Sequence, residues 1–302
     1  MGLLATIQDR GRSGFMEYGI TEGGAMDGFA YRLGQRLLTN CAQAAAIEVV
    51  ANGLQCETGI DTTIAVPGAP VDLHLNDAPA PMNTALRVAA GTRIALGRAK
   101  AGVYSYLSVA GGILSPQQLS SRSVVVREGL GRPLRSGDAL PLHPQRPTTL
   151  FTTRVRERAW RATLTLRFIP GFQYDDVSAA VRQQLETTPF TAGSRRDRMA
   201  IRLTGDPLPT GCVQLWSEAT CHGAIQVPPD GHPLILLADR QTVGGYPKLG
   251  AVLSVDCERL SQTQPGCTIR FQAVTPQEAE RVLWLGQNYE RELQLSPVGE
   301  AG

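Results

Sequence analysis

Short stretches that alternate apolar and polar residues recur along the chain and constrain its fold more than any other feature: "VDLHL" (71–75), "TRIALG" (92–97), "TLTLRF" (163–168) and "CTIRFQAV" (267–274). Period two sends successive side chains to opposite faces of an extended strand, so each stretch reads as a half-buried strand bounded by Gly, Pro or Asn. The more continuous apolar runs "VYSYLSVAGGI" (103–113) and "PLILLAD" (233–239) read as strands buried on both faces. Helices are few. "TPQEAERVLWL" (275–285) opens with Thr275 as N-cap, Pro276 at the first helical position and Glu278 completing a capping box. "SPQQL" (115–119) repeats that arrangement briefly, Asp27 can cap "GFAYRLGQRLL" (28–38), and an amphipathic piece runs over 175–185. The expected class is mainly β, antiparallel, with a few short helices.

With 302 residues the chain is long enough for about two domains. The proline- and arginine-rich stretch 142–162 is the natural linker, giving an N-terminal β domain over 1–150 and a C-terminal β domain with a terminal helix over 151–302. The halves echo one another: "QDRGRSGF" near the start and "RRDRMAIRL" from 195 both place an Asp/Arg pair before a short strand and a small-residue turn.

A formal net charge of +2, with arginines scattered rather than massed, excludes an electrostatic footprint for nucleic acid. No run approaches the ~18 apolar residues a membrane helix needs. Asp9, Arg10 and Arg12 interrupt any signal-peptide core, so a cytoplasmic protein is expected. Six cysteines without a CxxC pair and four histidines without metal-ligand spacing suggest neither disulfides nor a metal site.

Function is concentrated in "DRQTVGGYPKLG" (239–250), which follows an apolar run. Gly244 and Gly245 permit positive φ or close backbone approach to a ligand, and Pro247 forbids simple continuation of a strand. The stretch reads as a binding loop at a strand end, the alternative being a wide turn of solvated polar residues. Of the 29 basic residues only Lys100 and Lys248 are lysines, which makes Lys248 a candidate for chemistry needing a compact amine.

In order along the chain, "TIQDRGRSGF" (6–15), "GAMD" (24–27), "YLSVAGGI" (106–113), "SRS" (121–123), "GRPLRSGDAL" (131–140), "DRMAIRL" (197–203) and the block "GAIQVPPDGHPLILLADRQTVGGYP" (223–247) resemble the biotin-dependent carboxyltransferase family. That family includes the carboxyltransferase portion of urea carboxylase, allophanate hydrolase subunit 2, KipA-type proteins and the C subunit of 5-oxoprolinase. The resemblance implies a cyclophilin-like fold of two packed β-barrel domains. For an isolated chain of this length it implies a subunit of an ATP-dependent 5-oxoprolinase that opens the lactam of 5-oxoproline to glutamate, active only with two partners, one KipI-like and one LamB/YcsF-like. The other readings are the carboxyltransferase component of a urea/allophanate-type carboxylase and a KipA-like regulator that binds a KipI-like partner. The sequence has no biotinyl-lysine motif and no GxxxxGK[ST] loop, so no biotin is attached here and ATP is expected on a partner or at an interface.

For a small anionic amide, the resemblance points to Lys248, with the Thr242 hydroxyl and the Gly244 and Gly245 amides, as anion stabilisers. Tyr246 would stack on or bond a planar ligand, and Gln226 and Gln241 would bind it through their amides. Arg198 is either a bidentate clamp for a substrate carboxylate or a strand-end ion pair. Asp27 is expected mainly as a helix cap. Glu48, alone in "AAAIEVV" (44–50), is either a buried hydrogen-bonder or a general base. His222 is discounted as a base for Cys221, since neighbours on a strand face opposite ways.

Overall fold

The alternating stretches are strands. In the computed structural model, which describes residues 5–50, 53–143, 149–153, 162–211 and 216–298, "TLTLRF" lies in the strand Thr163–Pro170 and "CTIRFQAV" in Thr268–Ala273. The strand Tyr104–Val109 is buried at every position, as its apolar run predicts. Among the described residues the protein is mainly β with four α-helices: α1 (Gly28–Leu37), α2 (Ala179–Thr187), α3 (Ser254–Ser261) and α4 (Pro276–Glu292).

The chain divides into two compact units. The first comprises residues 1–12, 23–159 and 290–302, and the second residues 13–22 and 160–289. The contiguous halves 1–150 and 151–302 therefore differ from this division at residues 13–22 and 290–302, as well as in the position of the cut. Part of the expected linker, residues 144–148 and 154–161, lies outside the described residues, as does Cys212.

In the first unit an antiparallel sheet runs in the order Ala5–Gln8, Ala46–Val50, Tyr104–Val109, Thr62–Ala65, Leu86–Val88. A second has the order Leu54–Glu57, Arg93–Leu96, Leu73–Leu75, Ala78–Ala80. Ile47, Ile64 and Leu107 from the one and Leu73, Ile94 and Leu96 from the other share a single core. Among the described residues this unit is thus a pair of sheets, where the resemblance implies a barrel. Asp27 caps α1 by accepting from the Ala30 N–H at 3.1 Å. Asp9 of "QDRG" accepts from the Ser121 and Ser123 hydroxyls (2.7 and 2.6 Å) and the Arg122 N–H (2.6 Å), so two separated motifs form one buried turn cluster.

The second unit is built on a closed barrel in the order Thr163–Pro170, Lys248–Val252, Ala224–Gln226, Leu234–Leu236, Ala200–Thr204, Phe190–Arg196, Thr268–Ala273, the last strand returning to the first in parallel. Edge-to-face contacts Phe168–Phe271 and Phe190–Phe271, at 5.9 and 5.7 Å, fill its interior. Each adds about 0.5–1.5 kcal/mol beyond area burial. The echo between the halves has a local basis: Asp9 accepts from the Gly11 N–H and Asp197 from the Met199 N–H, each at 2.8 Å, the two-residue Asx turn in both places.

The "SPQQL" stretch is not helical. Leu119 and Ser120 adopt φ of 53° and 63°, and Gln118 pairs with Ser121, so the chain reverses there instead of coiling.

Candidate functional site

The barrel strand Lys248–Val252 runs antiparallel to Ala224–Gln226, with Gln226 opposite Lys248 across a register shift. Gln226 is fully buried. Its Oε1 accepts a long bond from Gln241 Nε2, 3.4 Å, which places two loop and strand amides side by side. Gln226 Nε2 and Gln241 Oε1 are also buried, and neither has a hydrogen-bond partner among the described residues.

Gly244 lies against this amide pair, for a reason other than the one expected. Neither Gly244 nor Gly245 has positive φ. Gly244 belongs to a two-residue strand, Val243–Gly244, that pairs with Glu218–Ala219. Hydrogen-bonded pairs alternate along an antiparallel ladder, and the Thr220 N–H donates to the Thr242 carbonyl, so Glu218 and Gly244 share that parity. The Gly244 amide is therefore committed to the ladder rather than turned out as an anion nest. Glycine lets the two amides pack close: a Cβ there would stand 2.5 Å from Gln226 Nε2 and 3.4 Å from Gln241 Nε2, so the Gln226 amide would have to shift.

Lys248 is held from below. Its ammonium lies 2.7 Å from Glu218 Oε2, while Gln173 Oε1 accepts the Lys248 N–H at 2.5 Å and Gln173 Nε2 donates to Glu218 at 3.1 Å. Contact with the Lys248 ammonium holds the Glu218 carboxyl below the usual carboxylate range. Sequence reasoning missed Glu218 and Gln173, since nothing in their local patterns marks them; only closure of the barrel brings them to Lys248. Phe172, Trp216 and Tyr246 are exposed beside these residues in the chain.

Arg198 does not reach this cluster as an open clamp. Its Nε and one terminal nitrogen donate to Asp239 at 2.9 and 2.8 Å, a bidentate pair that pins the start of the loop. Arg240 is nearly buried and donates to Glu22 at 2.6 Å, and the Thr21 hydroxyl donates to its carbonyl at 2.8 Å. Thr242 contributes its carbonyl to the ladder, as above, and is buried. His222 is pushed down to about 4, first by burial and then by the Arg240 charge, which leaves it neutral at pH 7. Cys221 beside it is raised by burial, so it is no thiolate.

Asp27 and Glu48 belong to the first unit. Glu48 accepts from the Met26 N–H (2.9 Å) and the Tyr106 hydroxyl (2.8 Å), and that hydroxyl accepts from the Asp27 N–H (2.8 Å). Glu48 is thus a buried hydrogen-bonder that anchors the start of α1, and burial followed by the Glu48 charge raises the Tyr106 phenol well above its ordinary value. Among the described residues no three His, Cys, Asp or Glu converge as a metal site, and no helix is long and apolar enough to cross a membrane.

The fold and site define a mainly β protein of the closed-barrel class. The chain belongs to the carboxyltransferase domain family, subdomains A and B, whose family model matches residues 18–273. It is 37% identical over 287 residues to the C subunit of 5-oxoprolinase from Haemophilus influenzae, covering 92% of this chain and 91% of that one. Against the Escherichia coli protein of the same name, identity is 33% over 297 residues, covering 97% and 95%. Among solved structures, TTHA0988 superposes with a TM-score of 0.82 at 32% identity over 90% of this chain, which spans 54% of that one. The Kluyveromyces lactis urea amidolyase, at 24% identity and a TM-score of 0.85, shares the fold over 97% of this chain and 19% of its own length.

Proposed function

We propose that the chain is a subunit of an ATP-dependent 5-oxoprolinase, and that its barrel-end site binds the lactam that is opened to glutamate. The observation carrying this reading is the amide pair Gln226–Gln241, buried yet with one polar atom of each unpartnered, where Gln226 pairs with Lys248 across the barrel. Near full-length likeness to two proteins named as the C subunit of 5-oxoprolinase supports it. The urea amidolyase of Lachancea kluyveri matches at 27% and over 17% of its length, so carboxylation of urea is the second reading.

Opening a lactam breaks a stable C–N bond and adds water across it, and the nucleotide's part is to activate the carbonyl oxygen. The residues here do not fit the nucleotide itself. Arg198 and Arg240 are committed to Asp239 and Glu22, which leaves Lys248, whose Glu218 partner is half-exposed, as the one displaceable cation among these three, too little charge for a triphosphate. We therefore assign ATP to a partner, a KipI-like or LamB/YcsF-like chain, in a cytoplasmic complex. This chain's own work is to bind and orient. The two amides address the ring, and Lys248 meets the substrate carboxylate by exchanging it for the half-exposed, displaceable Glu218. The exposed Tyr246 ring borders the ligand, and the Arg198–Asp239 pair positions the loop.

Glutamate release from 5-oxoproline and ATP, measured with this chain and both partner chains, is expected to require all three. Lys248→Met should lower kcat/KM at least about tenfold. Robust release by this chain alone, or biotin-dependent carboxylation of urea in its place, would overturn the reading.

A further inference from the structure

A small-ring lactam is locked cis, so its N–H and C=O lie side by side along one edge, a donor beside an acceptor. We propose that Gln226 and Gln241 read that edge: Gln226 Nε2 donates to the ring carbonyl while Gln241 Oε1 accepts from the ring N–H. The site would thereby select a secondary cis-amide over a lactone or an N-substituted ring. This inference rests on the lactam-site reading and adds its specificity determinant.

Burying an amide atom without a partner costs stability, so such atoms are normally bonded within the fold. Here two neighbouring amides spend one donor and one acceptor on each other, at 3.4 Å, and leave one of each over. The orphans are of opposite polarity, which a bare anion or cation would not satisfy. Gly244 leaves room for the couple, since a Cβ there would stand 2.5 Å from Gln226 Nε2 and displace it. Lys248, opposite Gln226 in the barrel, supplies positive charge beside the ring. The ligand class is a five-membered secondary lactam bearing a carboxylate.

Binding of three probes to the full chain by calorimetry tests this: 5-oxoproline, its N-methyl derivative, and the γ-lactone carboxylate in which oxygen replaces the ring N–H. Wild type should bind the lactam at least about tenfold more tightly than either analogue, because the analogue leaves a buried acceptor unpaired. Gln241→Met should bring the lactam-to-lactone ratio to about one. Gln226→Met should weaken lactam and lactone together, since both carry the carbonyl, and keep the ratio. A ratio on one sample is independent of the folded fraction, so partial unfolding cannot imitate this split. A wild-type ratio near one, or a Gln241→Met chain that keeps the wild-type ratio, overturns the edge-reading proposal alone. Binding of none of the three probes, or binding unchanged by Lys248→Met, overturns the lactam site itself.

Discussion

Gly244 shows how one residue can serve a site without touching its ligand. The hydrogen it carries in place of a side chain leaves room for the Gln226 amide, which is fully buried and would have to shift to admit a methyl group. Gly244→Ala is therefore expected to destabilise the protein by about 1–3 kcal/mol, the range for forcing a methyl group into a packed interior. A lowered urea midpoint at unchanged m-value would register it, and an unchanged midpoint would refute the steric role. Loss of lactam affinity should accompany it. The loop that holds this glycine is legible in the sequence, because a Gly-Gly-Tyr-Pro-Lys run after an apolar strand is unusual, but its conformation is not. Positive φ is the natural expectation, and the two-residue ladder to Glu218–Ala219 replaces it. Glu218 and Gln173 are invisible for a different reason. They lie 30 and 75 residues from Lys248 in the chain, and only barrel closure joins them. Arg198 is a bidentate donor, as its setting in the sequence suggests, yet its partner Asp239, 41 residues away, is a protein carboxylate.

Among the elements, α3 has the most to lose from a single change. Asp256 is wholly buried in its first turn and accepts from the Arg167 N–H at 3.0 Å and from Nε and a terminal nitrogen of Arg167 at 2.7 Å each, which ties the helix to the barrel strand Thr163–Pro170. Asp256→Ala would orphan a backbone donor and a partly buried guanidinium at once. The expected cost is about 2–4 kcal/mol, discounted from the fully buried case because Arg167 retains solvent contact. Urea unfolding measures it, and a loss under about 1 kcal/mol would show that water replaces the carboxylate. The sequence does not announce this helix, since "SVDCERLS" carries no side-chain cap and its mixed polarity conceals which face is buried. Helices with complete start signals are legible. In α4, the Glu278 N–H donates to the Thr275 hydroxyl at 3.2 Å and the Thr275 N–H to Glu278 at 2.8 Å, the reciprocal box that its sequence spells. The "SPQQL" stretch spells a similar start but is too short to repay nucleation, and it forms a turn. Strands read well wherever one face is solvated and alternation survives. Their partners do not, because pairing across distant residues leaves no local mark.

For the whole molecule, a formal net charge of +2 means little self-repulsion near neutrality, so the response of stability to pH there falls to individual groups. His222 is the group to watch. Burial is the chief cause of its shift, the charge of the buried Arg240 adds to it, and Glu22 acts the other way. In the native chain it is pushed down to about 4, whereas in the unfolded chain it titrates near its ordinary value of 6.5. A depressed native pKa contributes stability that is present above the unfolded value and is lost as pH falls. Between pH 6.5 and about 4 the unfolded chain binds a proton that the native chain refuses. Stability should therefore decline on acidification with an added slope of at most about 1.4 kcal/mol per pH unit, reduced by the residual solvent contact of the ring. Carboxylates contribute their own slope lower in this range, so the comparison that isolates the histidine is His222→Gln. Urea unfolding of both chains at pH 7, 6 and 5 should give curves that converge or cross toward acid, with wild type losing more. Parallel curves would mean that burial and the Arg240 charge do not hold His222 neutral, and that the turn leading into Gln226 is open to protons and water.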